Sequence, residues 1–298
     1  MRVACFRCPA CGGALNAGSA ARCRACGREF AEQDGVLVLG SSLAAEDGYD
    51  PKHYALLAAV DRDHFWYRAR RRAVLESLRR VLGTGGDRAL MEVGCGAGCM
   101  LEAFQAAGWP VAGGCDGHLE GLLIARQRSE IPLAQVDPTL PMPLAPNQRL
   151  VGLFDVLEHV ADDVGFLRGL ADCLAPDGAL VLTVPAHMWL FDDADRIACH
   201  QRRYSASGLR QVLVRGGLAP VWVSSFGISL VLPLLVNRRV GRLLQGRRGA
   251  EVSRARELSI VRGLNGVLDA MLSVEWKLLG RFEVALGTSL LAIAKRVG

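Results

Sequence analysis

The sequence predicts an α/β fold in which a mostly parallel sheet is covered by helices on both faces. Three observations carry that reading. Short apolar runs alternate with helix-period segments over residues 89–184. A glycine-rich stretch, Gly94-Cys95-Gly96-Ala97-Gly98, sits where a strand gives way to a helix. Apolar residues make up 51% and charged residues 22% of 298, a globular balance that excludes a largely disordered chain or a coiled coil.

Residues 1–40 read as a zinc ribbon placed before that core. Cys8-Pro-Ala-Cys11-Gly and Cys23-Arg-Ala-Cys26-Gly are CxxC knuckles separated by eleven residues, each followed by a glycine that lets the backbone turn under an ion. Four thiolates on two such turns suit tetrahedral Zn2+, and so small a unit needs a staple to fold. No βαβ pattern surrounds the knuckles, which weighs against a redox pair, and Cys5 reads as a spare thiol. Residues 41–82 form a helical arm, opened by Asp50-Pro51 and carrying Val74, Leu75, Leu78 and Leu82 at helical spacing.

The core is expected over 83–226 and 281–298. Strands are expected at Ala89–Val93, Val111–Cys115, near Ala134–Asp137, Leu150–Phe154 and Ala179–Val184; helices fall at Met100–Ala107, Leu119–Arg128 and Val164–Leu174. Val221–Phe226 and Thr288–Lys295 supply two further strands. Between them, residues 227–280 read as a helical insertion, with Leu264, Val267, Leu268, Met271, Leu272 and Trp276 at helical spacing. It is expected to serve as a substrate cap or a membrane-facing surface, with a dimer interface or simple packing on the core as the alternative. The uncharged run Gly216–Asn237 is broken by Pro220, Gly227 and Pro233, which argues against a spanning helix.

Charge is segregated along the chain. Arg68–Arg80 carries six arginines and one acid, and Arg238–Arg262 carries eight arginines and two acids. Between them, Val81–Asn237 has ten arginines against sixteen acids. Basic arms of this kind suit either a phosphate-bearing partner or a solvated helix face. No export signal follows Met1, so a cytoplasmic protein with reduced thiols is expected, with peripheral contact at the inner face of the membrane as an extension of that reading.

The glycine stretch has GxGxG spacing with Glu92 two residues before Gly94, unlike the GxGxxG of dinucleotide sites. Asp116 ends the second strand, where a carboxylate can accept both hydroxyls of a ribose. Asp137 follows the third, within reach of an adenine amino group. On these residues, the stretch from Phe65 to Val214 resembles the class I S-adenosylmethionine-dependent methyltransferases. The resemblance implies a Rossmann-like, seven-stranded methyltransferase sheet with S-adenosylmethionine bound by Glu92, Gly94, Gly96, Gly98, Asp116 and Asp137. Arg70, within His64-Phe65-Trp66-Tyr67-Arg68-Ala69-Arg70, would pair with the cofactor carboxylate.

Beyond the fourth strand come Asp155-Val-Leu-Glu158-His159 and, later, His200-Gln-Arg202-Arg203-Tyr204-Ser205. This D-x-x-E-H and H-x-R-R-Y-S pair resembles a bacterial branch of the superfamily. More distantly it is similar to the ubiquinone-pathway O-methyltransferases and to metal-using small-RNA 2′-O-methyltransferases, which carry Glu-x-x-Glu-His. Asp155 stands in place of their first Glu, and Arg149 where an Asp is usual. Three readings stand side by side. Asp155, Glu158, His159 and His200 could hold a catalytic divalent cation; His159 or His200 could be a metal-free general base assisted by Glu158; or Glu158 and His159 could cap the next helix. The expected reaction is methyl transfer to a small-molecule or lipid-like acceptor, small and apolar, most often at oxygen. An RNA methyltransferase using the ribbon and basic arms is the alternative, disfavoured because no aromatics interleave the arginines. A cofactor-binding module without catalysis is the third.

Overall fold

In the computed structural model, residues 4–16, 21–40, 52–137, 141–236 and 264–297 are described. The ribbon opens the chain with β1 (Leu15–Asn16), β2 (Ala21–Cys23) and β3 (Glu29–Phe30), a small antiparallel sheet. Each knuckle closes through its glycine: the N–H groups of Gly12 and Gly27 donate to Cys8 and Cys23 carbonyls at 2.8 and 3.0 Å. β4 (Glu32–Gln33) and β5 (Val36–Val38) follow.

The helical arm divides in two, α1 (Lys52–Val60) and α2 (Phe65–Leu82), with a turn between them where His64 caps the second helix. The expected helix over 41–51 lies outside the described residues. β6 (Leu90–Val93), α3 (Cys99–Ala106), β7 (Val111–Asp116), α4 (Leu119–Arg128), β8 (Leu133–Gln135), β9 (Gln148–Phe154), α5 (Asp163–Cys173) and β10 (Leu174–Pro185) then alternate as the periodicity predicts. α6 (Asp193–Ile197), α7 (Ala206–Arg215), β11 (Leu218–Phe226), α8 (Leu264–Leu279) and β12 (Ser289–Arg296) complete the order, with residues 231–236 also helical. The arginine-rich stretch of the insertion falls within 237–263, outside the described residues.

The main sheet runs β11-β12-β10-β9-β6-β7-β8-β5-β4. From β10 to β5 every neighbouring pair is parallel, whereas β12 is antiparallel to both β10 and β11. All seven expected strands are present, and the sheet is longer than expected. The chain leaving the ribbon adds two strands at its edge, with Val36–Val38 registered against Leu133–Gln135.

That addition has a physical reason. Between β8 and β9 no helix lies among the described residues, so part of one sheet face has no crossover helix to cover it. The ribbon covers it instead. Phe6 forms an isolated bridge with Leu144, and Phe6, Leu15 and Phe30 are buried in one cluster with Met91, Val93 and Val151 of the sheet. The Arg7 N–H donates to the Pro143 carbonyl and the Ala145 N–H to the Cys5 carbonyl, both at 2.8 Å. On the opposite face α2, α3, α4 and α8 bury Leu78, Phe104, Leu122 and Trp276.

Arginines of α2 are held by specific partners, although Arg68, Arg79 and Arg80 stay exposed. Arg68 and Arg72 both pair with Asp269 of α8, at 2.9 and 3.1 Å, and Arg70 pairs with Asp155. Arg80 donates to the Gly280 carbonyl and lies 4.8 Å over the Trp222 ring. This arm therefore ties the insertion to the core. α8 is fastened a second time by Glu275, whose carboxylate accepts the N–H groups of Gly227, Ile228 and Ser229 at 2.7–2.9 Å.

Candidate active site

At the C-terminal ends of the parallel strands, β6 turns into α3 through Gly94–Gly98. Only glycine fits this turn. Gly94 has φ +74°, and a Cβ there would come within 2.3 Å of the Val156 side chain; Gly98 has φ +80°, and a Cβ there would come within 2.9 Å of Ala125. The N–H groups of Gly94, Cys95, Gly96 and Gly98 are already taken by the Cys115 carbonyl, Asp116 and the Cys95 carbonyl, so the turn offers a ligand close backbone approach and the N-terminus of α3. Asp116, at the end of β7, is buried against it. Its carboxylate accepts the Gly96 N–H at 2.8 Å, the His118 N–H at 2.9 Å and the Tyr54 hydroxyl at 3.1 Å. Tyr54 comes from α1 and lies over Gly96, where an added Cβ would stand 3.3 Å from its ring. Periodicity placed Tyr54 on a helix but held no signal for the direction it faces.

Glu92 is buried beneath the turn, and one of its oxygens has no hydrogen-bond partner among the described residues. Burial pushes its carboxyl well above the ordinary range, against the opposing charge of Arg70. Asp137 stands apart from this group: its backbone N lies against Gly40, and the adjacent Val136 lines the cleft.

At the end of β9, Asp155 adopts φ +55°. Its carboxylate takes Arg70 on one side and the Thr183 hydroxyl, at 2.9 Å, on the other. Those contacts hold Asp155 apart from the three residues the sequence grouped with it. Glu158, His159 and His200 do meet, with one ligand atom of each within 4.8 Å of the others. Glu158 is 0% exposed, and neither carboxylate oxygen has a hydrogen-bond partner among the described residues. His200 Nε2 stands 3.9 Å from Glu158 Oε1, and the His159 and His200 rings meet edge to face. Arg149 lies at the start of β9, paired with Asp87 and Asp177, far from this cluster along the strand.

The sequence did not single out Asp195. It is 1% exposed and accepts from His200 Nδ1 and Arg203 Nε, each at 2.8 Å. Burial opposes its ionisation, but the hydrogen bonds from His200 and Arg203 outweigh it and hold Asp195 down at about 2. An ionised Asp195 fixes the proton of neutral His200 on Nδ1 and leaves Nε2 as the basic nitrogen. The rest of the H-x-R-R-Y-S segment anchors the loop. Arg202 and the Tyr204 hydroxyl reach Asp163 at 3.0 and 2.8 Å, and Ser205 caps α7 through the Gly208 N–H.

One cleft of about 1430 Å³ is lined by the glycine turn, Asp116, Arg70 and the Glu158–His159–His200 group. Trp66, Leu230, Pro233 and Leu234 give it apolar walls. It is large enough for a nucleoside cofactor and a second molecule.

In the ribbon, Cys8 and Cys26 Sγ lie 3.8 Å apart, and Cys11 and Cys23 Sγ 3.5 Å apart. All four sulfurs fall within 4.8 Å of one another. Zn–S bonds of about 2.3 Å arranged tetrahedrally imply sulfurs about 3.8 Å apart, so the cluster fits a structural zinc. Because the ribbon is part of the sheet's cover, stripping the metal with a strong chelator is expected to lower the melting temperature of the whole chain. Calorimetry that showed a separate small transition and an unmoved main one would refute this.

A family model described as "Methyltransferase domain" matches residues 65–222, more than half of the chain. No curated protein matches it. Among solved structures, a SAM-dependent methyltransferase from Archaeoglobus fulgidus is similar at 16% identity and TM-score 0.48, over 76% of this chain and 94% of that one. An S-adenosylmethionine dependent methyltransferase from Mesorhizobium loti is similar at 17% identity and TM-score 0.47, over 75% and 98%. Geranyl diphosphate C-methyltransferase from Streptomyces coelicolor A3(2) is similar at 17% and 0.47, over 75% and 79%.

Proposed function

The chain belongs to the methyltransferase-domain family, and from that premise we propose that it moves a methyl group from S-adenosylmethionine to the oxygen of a small, apolar acceptor. The observation that carries the reading is the shared cleft. The glycine turn and Asp116 line it together with an Asp195-oriented His200 and the apolar walls of Trp66, Leu230 and Leu234. The cofactor is expected on the glycine turn, its ribose hydroxyls donating to Asp116 and its carboxylate held near Arg70. Asp137 is proposed for the adenine side.

Methyl transfer is an in-line displacement: the acceptor oxygen attacks the methyl carbon as the carbon–sulfur bond breaks and neutralises the sulfonium. Positioning supplies most of the rate. A hydroxyl acceptor must also lose its proton, and His200 Nε2 is set to take it, with Asp195 stabilising the imidazolium that results.

A divalent cation is a second reading, favoured by the two orphaned oxygens of buried Glu158 beside His159 and His200. These three residues would hold the ion, which when bound would lower the pKa of the acceptor hydroxyl.

Labelled S-adenosylmethionine and a panel of hydroxylated apolar acceptors test the proposal. His200→Ala should lower turnover about 10²–10⁴-fold with cofactor affinity intact, and Asp195→Asn should lower it less while shifting the pH profile. A selective chelator that leaves the ribbon zinc in place separates the base and cation readings. Labelling of RNA or of an amine, with no O-methyl product, would overturn the acceptor assignment.

A further inference from the structure

A helix on the surface of a protein ordinarily turns charge towards water and apolar residues inward. α8 does not follow that pattern. Leu264, Val267, Val274 and Leu278 fall on one stripe of the helix and are exposed, Val267 at 64% and Leu278 at 66%. Phe282, just beyond its end, and Leu232, in the neighbouring 231–236 helix, are also exposed. The opposite face is already occupied: Leu272 and Trp276 are buried in the core.

The charges of α8 are equally one-sided. Asp269 is buried between Arg68 and Arg72, and Glu275 is fixed on the N–H groups of 227–229. No exposed carboxylate remains on α8. Its exposed charge is Lys277, followed by Arg281. The sequence joining the two helices adds eight arginines against two acids between 238 and 262. Glu76 and Glu283 are exposed near Lys277 and Arg281, Glu283 paired with Arg210 at 2.7 Å, so the surplus of positive charge lies in the arginine-rich sequence between the helices. An apolar stripe joined to such a surplus complements an anionic lipid surface, where apolar side chains enter the acyl boundary and cations meet headgroups. Among the described residues no helix is long and apolar enough to cross a membrane, so the contact would lie along the bilayer.

This face is also next to the cleft. Leu230, Pro233 and Leu234 line the cleft, while Leu232 and Val236, on the same short segment, are exposed. We propose that the outer face of α8 with residues 231–236 docks the protein on an anionic bilayer, and that the apolar acceptor is drawn from that bilayer. The second half rests on the methyl-transfer reading above; the docking surface does not.

The test is flotation of the full-length chain with mixed phosphatidylcholine–phosphatidylglycerol vesicles and with pure phosphatidylcholine vesicles. Binding to the mixed vesicles is expected to exceed binding to the neutral ones by about tenfold or more, and to weaken as salt is raised. The double variant Val267→Glu with Leu278→Glu changes two exposed positions outside the cleft. It is expected to lose vesicle binding by at least about tenfold while binding S-adenosylmethionine as the parent does. Equal binding to both vesicle types, or an unaffected variant, would overturn the proposal. So would a parent that ignores vesicles and sediments as a dimer which the variant splits, since the face would then belong to a second copy. Calorimetry with S-adenosylmethionine keeps the two readings apart: vesicle binding without cofactor binding removes the methyl-transfer reading and supports the surface, whereas turnover without flotation removes the surface alone.

Discussion

Asp116→Ala is expected to weaken S-adenosylmethionine binding by about 100-fold or more, with the chain still folded. The expectation follows from two contributions of one carboxylate. In the proposed binding mode it accepts from the ribose, and hydrogen bonds to a charged group are worth about 1.5–3 kcal/mol each. It also holds the glycine turn in shape by accepting the Gly96 N–H. Tyr54→Phe separates these contributions: it removes one hydrogen bond to Asp116 but leaves the carboxylate in place, so the loss should be within about tenfold. Titration calorimetry on both variants, with melting curves to verify folding, is the measurement. An Asp116→Ala protein that binds within about threefold of the parent would mean that the cofactor does not sit on this turn.

Glu158→Gln should separate stability from activity in opposite directions. Burial, with the charge of Asp155 adding to it, pushes the Glu158 carboxyl well above its ordinary value. A carboxyl whose folded pKa lies above its unfolded one contributes stability that is fully present below the unfolded value, near 4.5. That contribution is lost as pH rises through the raised folded value. Glutamine keeps the shape and cannot ionise, so the variant should melt higher than the parent at alkaline pH. The gap should be a few degrees, given about 2–4 °C per kcal/mol for a chain of this size. At acidic pH the gap should close. Turnover should fall by about 10²-fold or more, since the orphaned carboxylate faces both His159 and His200. Full turnover in the variant would leave Glu158 a buried structural acid and remove both the base-assisting and the cation-holding roles.

The fold was largely legible because its signals are local. The alternation of apolar runs with helix-period segments defined every core strand to within a few residues, and Gly94-x-Gly96-x-Gly98 marked a turn whose first and last positions leave no room for a side chain. The charge pattern was less informative. Arg68, Arg70, Arg72 and Arg80 look alike in sequence, and only their partners, Asp269, Asp155 and the Gly280 carbonyl, show that the row fastens the arm to the core and the insertion. Similarly, D-x-x-E-H suggested four grouped ligands, yet Asp155 leaves the group because Arg70 and Thr183 reach it from elements distant in the chain.

By itself the sequence determined what short-range chemistry can encode: the strand–helix alternation, the glycine turn, the paired knuckles and the residues Glu158, His159 and His200. Tertiary structure alone decided which residues those features face. It built the ribbon's last strands into the sheet where a covering helix is missing, and it aimed Tyr54 at Asp116 and Asp195 at His200. It also left the outer stripe of α8 in solvent with its acids turned inward. The reason is range. Periodicity and turn chemistry act over a few residues, whereas a buried ion pair or an unpaired apolar face is a property of elements brought together from far apart in the chain.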